Sequence, residues 1–143
     1  MNVATSPAGR VDIHGITIAL GEGQNAFQAV QALDCQIESG QFVCILGPSG
    51  CGKSTLLGAL AGHLQPVEGS LKVDGVAVQG PSPQRGMVFQ QHTLFPWRSV
   101  RENVAFGLKM NGVGKAERLA AADEMLALVG LEGFAGHWPN QLS

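Results

Sequence analysis

The chain has 143 residues, 45% of them apolar and 14% charged, with a formal net charge of −2. That length suits one domain with a buried core, and the apolar content excludes a disordered chain. Near-neutral charge without a basic run argues against nucleic acid as the main partner, and no stretch approaches the ~18 apolar residues of a membrane span.

Residues Met1 to Gly9 lack a basic start and an apolar h-region, so they read as a flexible tail over 1–9 rather than a signal peptide. Val11 to Ile18 alternates as a half-buried strand. Gly21 to Asn25 is a turn, Phe27 to Ile37 resumes a strand pattern, and Glu38-Ser39-Gly40 turns the chain back. These two strands predict an antiparallel edge sheet beside a third strand, Phe42-Val43-Cys44-Ile45-Leu46. That run is continuous, apolar and partly β-branched, as expected of a strand buried on both faces.

Gly47-Pro48-Ser49-Gly50-Cys51-Gly52-Lys53-Ser54-Thr55 follows it. This is G-x-x-x-x-G-K-[ST], the phosphate-binding loop of nucleoside triphosphatases. Gly47 ends the strand. Gly50 and Gly52 permit backbone angles that turn successive N–H groups towards phosphate oxygens. A helix from about Lys53 to Ala61, closed by Gly62, adds the positive end of its dipole. Lys53 is the residue to reach the β- and γ-phosphates, and Ser54 the one to place its hydroxyl on Mg²⁺. Strand, glycine loop and helix in that order are the context this motif requires.

Downstream, Gly69 to Val78 predicts a hairpin around Asp74-Gly75, Gly80 to Pro83 a loop, and Gly86-Met87-Val88-Phe89-Gln90 a short strand ending in a polar residue. The rest is helical: Val100 to Met110, then Lys115 to Val129 with Leu119, Ala122, Leu126 and Val129 on one face. The three cysteines, Cys35, Cys44 and Cys51, lack metal or disulfide spacing and fit reduced thiols, with Cys44 in the core. Cys51 lies within the phosphate loop, where its backbone is the functional part, although alkylation of its thiol would block nucleotide. His14, His63, His92 and His137 are too scattered for a metal site.

Several segments keep a shared order beyond the loop: Glu38-Ser39-Gly40-Gln41-Phe42, Gly69-Ser70, Gly86-Met87-Val88-Phe89-Gln90-Gln91, Leu94-Phe95-Pro96-Trp97, Val100-Arg101-Glu102-Asn103-Val104 and Asn140-Gln141-Leu142-Ser143. In this order, from about residue 11 to the end, the chain resembles the ATP-binding subunit of an ABC transporter. The Gly80-Pro81 loop, Leu94 to Arg98 and Asn103 to Leu108 most resemble the nitrate/sulfonate/taurine importer subfamily. The resemblance implies an α/β fold: a P-loop NTPase (ABC ATPase) core with an N-terminal antiparallel β subdomain and the start of a helical subdomain. It implies a nucleotide-binding core over 10–97 and a partial helical subdomain over 98–143.

The same resemblance makes Gln90 the Q-loop glutamine, touching Mg²⁺ and the attacking water. ATP and Mg²⁺ are then the cofactors, and Ser54 and Gln90 the metal ligands. Phe95, Pro96, Trp97 and Arg98 would meet the transmembrane permease subunits. A second ATPase subunit and a periplasmic or extracellular solute-binding protein would complete the transporter at the cytoplasmic face of the membrane. The solute would be a small anion such as sulfonate, taurine or nitrate. Two departures stand out. The position that stacks on adenine in the family aligns with Leu20, leaving Phe27 as a displaced candidate. The signature motif stops at Leu142-Ser143, so Ser143, the partner-facing serine of that motif, would carry the terminal carboxylate, and the Walker B carboxylates would lie downstream. The 143 residues therefore read as a truncated N-terminal part, incomplete in fold and inactive alone. The alternative is a non-hydrolysing nucleotide-binding fragment of such a subunit. A GTPase would show an N-K-x-D guanine motif, which is absent from the sequence.

Overall fold

The computed structural model describes residues 8–21, 23–90 and 93–142. The expected tail before Ala8, and Ser143, lie outside the described residues. Contacts divide the chain into two compact units, up to Val88 and from Phe89 onward.

In the first unit, strands β1 (Val11–Leu20) and β2 (Phe27–Ile37) pair antiparallel, and β3 (Glu68–Val73) pairs with the other edge of β1. The hairpin partner β4 (Val76–Ala77) completes a sheet of order β2-β1-β3-β4. β1 does not alternate evenly: Ile13 is buried, His14 exposed, and Ile16, Thr17 and Ile18 all buried. The register shifts between Ile13 and Ile16, so a bulge resets the pleat and both isoleucine sets reach the core. Gly69 lets β3 come close at that bulge, because a Cβ there would strike the His14 and Gly15 carbonyl oxygens. Buried Thr17 is satisfied by accepting from the Ala32 N–H at 3.2 Å.

Helix α1 (Lys53–Ala61) packs on this sheet, with Ala59 among Ile13, Ile16, Ile18, Leu71 and Val78. Gly62 closes it in the left-handed conformation, φ 89°. Asp74, at φ 52°, makes the β3–β4 turn, and its Oδ1 accepts from the N–H groups of Gly9 and Arg10 at 2.8 and 2.9 Å. Arg10 in turn bridges Asp12 and Glu38, each at 3.0 Å, and ties the start of β1 to the turn after β2.

Two predicted strands are corrected. Residues 42–46 and 86–90 form no ladder: strand character needs a neighbour to take the backbone N–H and C=O groups, and no described strand pairs with either run. Most of their side chains face solvent, Phe42 at 93%, Leu46 at 90% and Val88 at 98% exposure, while Met87 is half-buried. Cys44, expected in the core, is exposed for the same reason.

The second unit holds α2 (Val100–Val104), α3 (Phe106–Met110) and α4 (Lys115–Leu128). The single helix predicted over 100–110 breaks at buried Ala105. Ala122 and Leu126 of α4 are buried and Leu119 half-buried, but Val129 lies past the helix end and is exposed. The Val100 and Arg101 N–H groups, left free at the start of α2, donate to the His137 and Ala135 carbonyls at 2.8 and 3.0 Å. Phe95 packs against Phe106 with ring centroids 4.6 Å apart and the rings tilted by 59°.

Candidate functional site

The phosphate loop runs from the unpaired 42–46 segment into α1. Gly50 and Gly52 take φ 82° and 89°, the left-handed region that a side chain disfavours. Gly52 has a second constraint: a Cβ there would collide with the Ala29 carbonyl oxygen of β2. The loop is therefore seated on the edge strand backbone to backbone. A cleft of about 300 Å³ beside it is lined by Val30, Leu33, Ile45, Leu46, Leu56 and Lys53.

The first helical bond of α1 is Leu56 N–H to Gly52 O at 2.9 Å. Gly52 offers no side-chain cap, so the N–H groups of Lys53, Ser54 and Thr55 are left for an acceptor from outside the helix. Aligned with the helix dipole, these N–H groups can donate to the oxygens of an anion. The Lys53 Nζ lies over the loop, donating to the Gly47 and Pro48 carbonyls at 2.8 and 2.6 Å and to Cys51 Sγ at 3.4 Å. Lys53 thus holds the loop closed on itself, and its ammonium is positioned to exchange carbonyl dipoles for full anionic charge. Ser54 presents an exposed hydroxyl, an oxygen donor suited to a hard cation such as Mg²⁺. The Cys51 side chain is exposed and touches the ammonium, so it belongs to the loop's surface and not to the core.

Gln90 is exposed and belongs to the second unit. In the 95–98 turn, Trp97 is 69% exposed and Pro96 is exposed, whereas Phe95 and Arg98 are half-buried. Asn103, not singled out from the sequence, holds that turn. Its Oδ1 accepts from Phe95 N–H at 2.7 Å and its Nδ2 donates to the Phe95, Arg98 and Ser99 carbonyls at 3.0–3.1 Å. Ser99 and Glu102 form a capping box on α2, a Ser-x-x-Glu signal present in the sequence. The capping bonds from the Ser99 backbone hold the Glu102 carboxyl below its ordinary pKa, with Arg98 and Lys115 adding to the effect. Asp12 is lowered likewise, first by its hydrogen bond from Arg10. Leu20 and Phe27 face each other across the β1–β2 ladder, and Phe27 is 60% exposed. Among the described residues no helix is long and apolar enough to cross a membrane.

Residues 30–143 match the family model of the ABC transporter. The chain belongs to the ABC transporter family. A dimeric structure of a post-hydrolysis state of the ATP-binding cassette MJ0796, bound to ADP and Pi, superimposes with a TM-score of 0.82 at 34% identity, over 93% of this chain and 63% of that one. The fold is therefore that of an ABC ATPase cassette, a P-loop nucleotide-binding architecture. The chain is 42% identical over 134 residues to the uncharacterized ABC transporter ATP-binding protein MJ0412 of Methanocaldococcus jannaschii, covering 94% of this chain and 50% of the relative. It is 50% identical over 115 residues to the taurine import ATP-binding protein TauB of Yersinia pestis, covering 80% and 45%. For the TauB of Burkholderia pseudomallei the figures are 46% over 128 residues, 90% and 49%. The chain spans about half the length of the curated relatives it matches.

Proposed function

We propose that the chain is the ATP-binding part of an ABC importer, coupling ATP binding and hydrolysis to uptake of a small anionic solute of the sulfonate, taurine or nitrate kind. The observation that carries the nucleotide reading is the loop itself: uncapped N–H groups of α1, seated on β2, beside the Lys53 ammonium that bonds the loop carbonyls. The importer reading rests on the two taurine-import relatives. Gly47 to Thr55 would wrap the phosphates, with Lys53 on the β- and γ-phosphates. Ser54 and Gln90 would hold Mg²⁺, which when bound neutralises phosphate charge. Phe27, opposite Leu20, offers an aromatic face for the base.

Pro96 and Trp97, presented by the Asn103 clamp, would meet a membrane subunit. A second ATPase subunit and an external solute-binding protein would complete the assembly at the cytoplasmic face of the membrane. The acidic residues Asp74 and Glu102 are engaged in a turn and a helix cap, and Glu68 opens β3.

Titration of the full chain with a fluorescent ATP analogue tests the reading. Saturable, Mg²⁺-dependent binding is expected, weakened about 10- to 100-fold in Lys53→Ala, the loss of charge-assisted bonds worth ~1.5–3 kcal/mol. Equal binding by both proteins, or none by either, would remove it.

A further inference from the structure

A basic cleft opens in the second unit where α2, α3 and the start of α4 meet. Arg98, Lys109, Lys115 and Arg118 line it together with Glu102, around a volume of about 200 Å³. Four cations against one carboxylate leave a local excess of three positive charges, in a chain whose net charge is −2. The carboxylate is already committed, accepting from the Ser99 backbone N–H at 3.1 Å and the Ser99 hydroxyl at 3.3 Å. Among the described residues, none of the four cations forms an ion pair.

Two of them are held in place. Arg118 donates to the Val113 carbonyl at 3.1 Å. The Arg98 guanidinium lies 5.0 Å from the Phe106 ring centre and 5.4 Å from that of Phe95. Its Nε–H is buried with no hydrogen-bond partner. A buried donor without an acceptor costs stability, and so do like charges held together. The 14-residue helix α4 begins at this cleft with Lys115, and its N-cap, Gly114, supplies no side-chain acceptor. The positive end of its dipole adds to the cations.

We propose that this cleft binds a small tetrahedral oxyanion, a phosphate, sulfate or sulfonate group, at a site separate from the phosphate loop. An oxyanion there offers acceptors to the cations that line the cleft and relieves their crowded positive charge. The volume falls below the ~300 Å³ at which pockets accept drug-sized ligands, so a whole nucleotide is too large and a single oxyanion group fits.

The test uses the full chain carrying Lys53→Ala, which disables the phosphate loop, titrated with phosphate, sulfate and methanesulfonate at ionic strength held constant with chloride. ¹⁵N–¹H spectra are read at Arg98 Nε–H and at the backbone of Ala116 and Glu117. A saturable shift at these signals is expected, with a Kd of about 1 mM or tighter. Adding Lys109→Gln and Lys115→Gln, neither of which holds another element, should weaken it at least tenfold while leaving the rest of the spectrum in place. Saturation by all three anions assigns the shared oxyanion chemistry, and by methanesulfonate alone an organic sulfonate. Shifts that grow linearly, equal those with chloride, or survive the double substitution would overturn the site, including the case where the cleft takes an acidic side chain of a partner protein.

Discussion

At Gly52 two independent constraints meet in one residue. Its φ of 89° disfavours a side chain, and the Ala29 carbonyl fills the place a Cβ would need. Gly50 shares the first constraint but meets nothing within 4 Å of a Cβ. Gly52→Ala should therefore cost about 1–3 kcal/mol of stability and push the loop off β2, with nucleotide binding lost alongside. Gly50→Ala should keep the seat on β2. Thermal melts and nucleotide titrations of the two variants check this, and equal behaviour would contradict it. The motif made both glycines legible as loop residues. Only the packed structure separates them, because the collision partner lies on a strand more than twenty positions upstream.

The elements differ in how they are stabilised, and α2 shows this most clearly. Five residues are too few to hold a helix by propensity. Its start is instead held by the Ser99–Glu102 capping box and by carbonyls of residues 135 and 137. Because folding lowers the Glu102 pKa from its ordinary 4.5, the capping contribution is present in full above that value and lost as pH falls through the lower folded one. Asp12, paired with Arg10, acts in the same direction. Stability should thus fall as pH drops below about 4.5, and Glu102→Gln should flatten part of that slope. Urea unfolding from pH 6 to 3, monitored at the two tryptophans, measures it; an unchanged slope in the variant would contradict it. Ser99→Ala should cost about 1 kcal/mol at neutral pH. The helix break at Ala105 could not be read from spacing, since the apolar period runs through it and Gly107 lies inside α3 rather than at the break.

For the whole molecule, large apolar side chains stand exposed at several places on the described surface. Phe42, Leu46 and Val88 are almost fully exposed, and a groove of about 430 Å³ lies between α1 and the 84–88 segment. Such surface marks a contact or an association hazard. The chain on its own should bind a hydrophobic dye and associate as concentration rises, and Phe42→Ser with Leu46→Ser should reduce both without moving the α1 core. Light scattering with dye fluorescence checks this; a strictly monomeric, dye-silent chain would argue against it. Local chemistry carried the reading of the phosphate loop, the β1–β2 pair, the Asp74-Gly75 hairpin and the last long helix, since each depends on neighbours close in the chain. The order β2-β1-β3-β4, the unpaired state of 42–46 and 86–90 and the four cations gathered from the 95–98 turn, α3 and α4 depend on residues distant in sequence. Pairing, burial and converging charge are properties of neighbours in space, so no local pattern of residues could specify them.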